Sequence, residues 1–144
     1  MKELDETIVL YLLGKLKEAH PFAISRLLLL LDLEHLKETG KRATGFEYVF
    51  LPGGFYVEGL PPLLESLPGV EKVVIEDEQG RPVRGFFRLK GEASPKLPET
   101  IAGILDRLIE DTRGLEDQEL NQLVLGREEY RKLLSGSLPG WEAR

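Results

Sequence analysis

The stretch Ile24 to Gly40, ISRLLLLLDLEHLKETG, constrains the fold more than any other part of the chain. Ile24, Leu27, Leu28 and Leu31 follow the i, i+3, i+4, i+7 spacing of one helix face. Leu29, Leu30 and Leu33 fill the remaining sides, and a helix apolar all round is buried on all sides. A membrane span needs about 20 largely apolar residues. Here the leucine run meets Asp32 and Glu34 at once, so the segment is expected to be a core helix. Lys37 in its last turn and Gly40 just after it suit the negative end of a helix dipole and a left-handed cap. A helix of this kind must be wrapped by other elements, which makes it the centre of a small domain.

The wrapping elements can be read on both sides. Leu4 to Ala19 predicts an amphipathic helix with Ile8, Val9, Leu12, Leu13, Leu16 and Ala19 on one face. His20-Pro21 ends it, because the residue before a proline disfavours the helical region. From Phe46 to Val57 aromatic and aliphatic residues alternate around Pro52-Gly53-Gly54, which fits either a hairpin or an extended aromatic loop. Pro61 and Pro62 suit the first turn of a helix running to Leu67. Val70–Glu76 and Val83–Lys90 read as two strands joined by the loop DEQGRP. After a polar connection from Gly91 to Leu97, helices are expected from Pro98 to Gly114, from Asp117 to Leu125 with Leu120, Leu123 and Val124 inward, and from Arg127 to Leu134. Residues 135–144, SGSLPGWEAR, read as a flexible tail from which Trp141 can dock back. The expectation is therefore a mostly helical α+β domain over residues 1–134, with a buried helix at about 24–39 and an antiparallel hairpin at about 70–90.

Composition excludes several functions. A chain of 144 residues is long enough to bury about 68% of its unfolded surface. It has no cysteine, which removes disulfides, thiolate nucleophiles and thiolate metal sites. A net charge of −6 opposes a bulk grip on nucleic acid or anionic membrane. The opening MKELDET lacks the apolar core of an export signal, so the expected location is the cytoplasm. A single asparagine and a single methionine, beside many Glu, Lys and Arg, resemble thermophile usage.

Candidate chemistry is sparse. Asp32 and His35, three apart on the central helix, have the spacing of a carboxylate-oriented base or half a metal site. With only His20 as a second imidazole and no HExxH, the favoured reading is a structural histidine held by Asp32 or by a backbone carbonyl. Gly53, Gly54 and Gly59 match neither a phosphate loop nor a dinucleotide fingerprint, and Gly53-Gly54 is read as a structural turn. Arg84, Phe86, Arg88 and Lys90 share one strand face, as in some single-strand binders. The favoured alternative is cross-strand pairing, with Glu71 opposite Arg88 and Val73 opposite Phe86. The aromatic group around Phe46, Tyr48, Phe55 and Tyr56 is either core or, on one alternating row, a surface for a protein partner. No catalytic constellation, metal set or cofactor motif is present, so the expectation is a non-enzyme without cofactors.

The order of features resembles the SocA-like antitoxin domain, also called the Panacea domain. The resemblance spans roughly Pro21 to Leu134. It rests on ISRLLLLLDLEHLKETGK followed by FEYVFLPGGFYVEGLPPLL, with Gly40-Lys41, Phe46 to Tyr48, Pro52 to Phe55 and Gly59-Leu60 at the family's turn and aromatic positions. Leu120 to Val124 and Tyr130 stand where its C-terminal segment falls. Two departures are visible. Pro52-Gly53-Gly54-Phe55 lacks the proline that follows glycine in the family, and Leu125-Gly126 occupies the neighbourhood of a family histidine. The resemblance implies a helical domain with a small β-element that neutralises a cognate toxin by direct contact. Phe46, Tyr48, Phe55 and Tyr56 are the expected contact residues. A winged-helix DNA-binding regulator is the alternative, with residues 61–67 as recognition helix and 70–90 as wing. A hydrolase or metal site at His35 is a third.

Overall fold

The computed structural model describes residues 2–91 and 95–141, so residues 92–94 of the polar connection and 142–144 of the tail lie outside the described residues. Its elements are α1 (Lys2–Leu16), β1 (Glu18–Ala19), α2 (Pro21–Thr39), β2 (Tyr48–Leu51), β3 (Gly54–Val57), α3 (Leu60–Ser66), β4 (Val70–Glu76), β5 (Pro82–Leu89), α4 (Glu99–Asp111), α5 (Asp117–Leu125) and α6 (Glu128–Leu134). This is an α+β fold built around α2.

Helix α2 is buried from Ile24 through Leu33 without a break. It begins earlier than residue 24 because two signals coincide. The His20 ring accepts from the Phe22 N–H through Nδ1 at 3.0 Å, and Pro21 sits at the first helical position, where no N–H is needed. It ends where Gly40 takes φ 82° and its N–H bonds the Leu36 carbonyl at 2.8 Å. Helices α4 and α5 pack against it, with Ile101, Ile104, Leu105, Leu108, Leu120 and Val124 facing inward. Leu123, expected inside, is 45% exposed. The short α5 buries only the line through Leu120 and Val124, and Leu123 falls beside it.

The first helix stops three residues before its expected end. Lys17 adopts φ 72°, bonds the Leu13 carbonyl at 2.9 Å, and turns the chain out of the helix. Glu18 and Ala19 then form a short strand opposite Arg88 and Phe87. The sheet order is thus β1-β5-β4, all antiparallel, rather than a lone hairpin. Pairing Ala19 with β5 covers an otherwise bare strand edge beside buried Phe87, a gain that continued helix would forgo. In β4–β5 the register places Glu71 opposite Arg88 and Val73 opposite Phe86, and the Glu71–Arg88 ion pair measures 2.7 Å. That is the cross-strand pairing read from the sequence, and it engages Arg88 of the basic face.

Residues 48–57 form a hairpin, not a loop. Tyr48 pairs with Val57, Val49 with Tyr56, Phe50 with Phe55 and Leu51 with Gly54. Pro52-Gly53 is the turn, and Gly53 at φ 81° supplies the left-handed residue that a type II turn requires after proline. The described part of the tail packs back on the body. Leu138 and Trp141 reach the core, and Gly140 lies so close to the α2 cap that a Cβ there would sit 2.9 Å from the Gly40 carbonyl oxygen. Among the described residues no helix is long and apolar enough to cross a membrane.

Candidate partner-binding surface

The loop after α2 is organised by one carboxylate. Asp32 is completely buried. Its Oδ1 accepts from the backbone N–H groups of Ala43 (2.9 Å) and Thr44 (2.8 Å). Its Oδ2 accepts from the Thr44 hydroxyl (2.6 Å), the Tyr48 hydroxyl (2.7 Å) and Arg42 Nη2 (3.2 Å). Arg42 also donates to the Phe46 carbonyl, and its guanidinium lies 4.3 Å from the Trp141 ring centre. Burial, followed by the Asp32 charge and hydrogen bond, pushes the Tyr48 hydroxyl well above the ordinary tyrosine range, so it stays a donor. His35 takes no part in this network. Its Nδ1 lies 2.7 Å from the Lys41 carbonyl, which can only accept, so Nδ1 carries the proton. The backbone-carbonyl alternative weighed for His35 is the one found, and Asp32 and His35 do not combine.

Held by that bracket, the hairpin β2–β3 has two unlike faces. Alternation puts Tyr48, Phe50, Phe55 and Val57 on the inner face. There Tyr48 and Phe55 meet edge-on at 5.9 Å, while Phe50 and Tyr130 meet at 5.8 Å. Trp141 joins Tyr48, also at 5.8 Å. The outer face carries Val49, Leu51 and Tyr56, of which Leu51 is 52% and Tyr56 47% exposed. The four residues expected to contact a partner therefore divide. Phe55 is buried, Tyr48 is half-buried inside the aromatic cluster, and Phe46 is buried at the wall of a second cleft. Tyr56 alone of the four stands on the surface.

Beside Tyr56 opens a cleft of about 400 Å³ between the start of α2, strand β3 and the start of α3. Arg26, only 4% exposed, contributes to its lining. The guanidinium is sandwiched between Phe22 and Phe55, its central carbon 3.9 and 4.1 Å from their ring centres. Asn121 Oδ1 accepts from Nε (2.9 Å) and Nη2 (2.8 Å). The Ser25 hydroxyl (2.9 Å) and the Phe55 carbonyl (3.0 Å) accept from Nη1. Gly54 leaves room for this, since a Cβ there would stand 3.2 Å from Nη2. Sequence reasoning passed over Arg26. The available signal was a lone cation inside an otherwise buried apolar helix.

The second cleft, of about 470 Å³, is lined by Asp5, Phe46, Gly59 and Leu63 among others. Burial raises the Asp5 carboxyl above its ordinary 3.8, against the lowering effect of the Gly45 N–H that it accepts at 3.0 Å. A raised folded value means that protonation favours the folded state. Asp5 therefore contributes most below pH 3.8 and loses that share as the pH rises through its folded value. Asp5→Asn should gain on the parent protein as the pH rises toward neutrality. Urea midpoints of both proteins across that range check it, and parallel curves would refute it.

Among the described residues no group of three or more His, Asp or Glu is placed to hold a metal ion. No protein family, curated protein or solved structure matches this chain.

Proposed function

We propose that this chain is a non-catalytic protein-binding module that grips its partner through the outer face of β2–β3. The observation that supports this most directly is the apolar row Val49, Leu51 and Tyr56, left outward on a hairpin whose other face is locked into the aromatic cluster. A half-exposed tyrosine beside a cleft is the kind of anchor that carries binding energy in protein interfaces. The sequence resemblance extends the proposal to a cytoplasmic antitoxin whose partner is a cognate toxin, neutralised by covering its working surface. Helix α3, which takes the recognition position in the winged-helix alternative, carries Pro61, Pro62 and Glu65 and no cation, so nothing there favours a phosphate backbone.

The test is co-expression with the product of the adjacent gene. A product toxic alone and harmless with this chain supports the proposal. A neighbour that is neither toxic nor bound removes it. Tyr56→Ala should weaken the complex roughly thirtyfold, the size of an interface hot spot, with little change in melting temperature because the side chain is half in solvent. Titration calorimetry of the purified pair measures it.

A further inference from the structure

We propose that the Arg26 cleft is a binding site for a small monocarboxylic acid with an apolar body, its carboxylate held at Arg26 and its body against Phe22, Tyr56 and Leu60. The inference goes beyond partner binding and rests on charge. Arg26 is a buried cation whose acceptors, Asn121, Ser25 and the Phe55 carbonyl, are all neutral. Among the described residues the other buried arginine, Arg42, has Asp32 as its carboxylate. Among the described residues no acid lies within ion-pair distance of Arg26, and Asp117 attracts it only from farther away. Burial accordingly lowers the Arg26 proton affinity, which an incoming anion would restore. Of the five N–H groups four are taken, leaving one on Nη2.

The lining narrows the ligand class. Apart from Arg26 its polar side chains are few: Ser25, whose hydroxyl already donates to the Phe22 carbonyl at 2.6 Å, Tyr56 with its hydroxyl, and His20, whose Nδ1 accepts from the Phe22 N–H and so leaves Nε2 as the ring donor. The rest is proline, aromatic and aliphatic surface. A phosphate or a dicarboxylate would find one buried charge for two or more of its own. A single carboxylate is matched, and its hydrogen bonds would be of the charge-assisted kind. The volume of about 400 Å³ lies near the lower end of small-molecule sites, so the body is on the order of ten heavy atoms.

The test titrates 3-phenylpropanoate and its uncharged amide into the full chain, followed by amide and arginine side-chain NMR. The acid should shift the Arg26 Nε–H resonance and the backbone signals of Phe22 and Tyr56, and saturate. The amide should bind at least about tenfold more weakly. This comparison needs no variant, so it stands even if Arg26→Gln fails to fold; where that variant does fold, it should abolish the difference. Equal binding of acid and amide, or no saturable shift from either, would overturn the site. A short peptide ending in Phe that binds far more tightly than the free acid would overturn the small-molecule assignment in favour of a chain end. None of these results depends on the co-expression experiment, so the two proposals can fail separately.

Discussion

Asp32→Asn is expected to destabilise the protein by about 3–5 kcal/mol, the cost of breaking a buried, hydrogen-bonded ion pair from one side. The near-isosteric change is instructive because every Asp32 partner is a donor. Oδ1 faces two backbone N–H groups, and Oδ2 faces a hydroxyl, a phenol and a guanidinium. An NH2 group in place of Oδ1 would face two backbone N–H groups, and in place of Oδ2 the Arg42 guanidinium, none of which can accept in this fully buried site. The Arg42 charge is at the same time left without its carboxylate, although its Nε already lacks a partner. The loss should be local before it is global. Amide exchange at Ala43 and Thr44 should speed up most, followed by the β2–β3 hairpin, while the β4–β5 amides keep their protection up to the global unfolding limit. Chemical denaturation and hydrogen exchange together check this. A loss under about 1 kcal/mol, or uniform exchange, would show that the bracket does not hold the loop.

How much of this was legible depends on the distance over which each signal acts. Local signals were readable: Gly40 after α2, Pro61-Pro62 at α3, and the Glu71–Arg88 register; His20-Pro21, read as the end of α1, instead caps and opens α2. The end of α1 was not readable, because Lys17 leaves the helix for the sake of a pairing with β5, about seventy residues away. The site divides along the same line. Alternation left open whether the aromatics of the hairpin are core or surface; Tyr48, Phe50 and Phe55 went inward because Tyr130 and Trp141 close over them, which leaves Val49, Leu51 and Tyr56 outside. Asp32 carried a visible signal, a carboxylate within a leucine run, yet the nearby His35 offered a false partner. The true partners, Arg42, Thr44 and Tyr48, lie across a chain reversal whose shape the carboxylate itself imposes. Arg26 meets Asn121 from the far end of the chain, and no spacing rule connects them.

Leu28→Ala and Leu30→Ala should each cost about 2–5 kcal/mol, although the two side chains leave α2 on nearly opposite sides. Two residues along a helix is a turn of about 200°. On an ordinary surface helix one of the pair would face water, and its truncation would cost at most a few tenths of a kcal/mol. Here both are essentially inaccessible, because α2 has neighbours all round: α4 and α5 pack against it, and so do α3, β1 and β3. Each truncation therefore leaves a cavity that packed surroundings fill only in part. The two sites face different neighbours, so the losses should be close to additive. Domains of this size have about 5–15 kcal/mol of stability in all. The double variant should then sit at or past the threshold of folding, while each single variant stays cooperative with a lower urea midpoint and an unchanged slope. If one of the two singles unfolds like the parent, α2 has an exposed side, and the wrapped-helix architecture on which the hairpin and the Arg26 cleft are mounted is wrong.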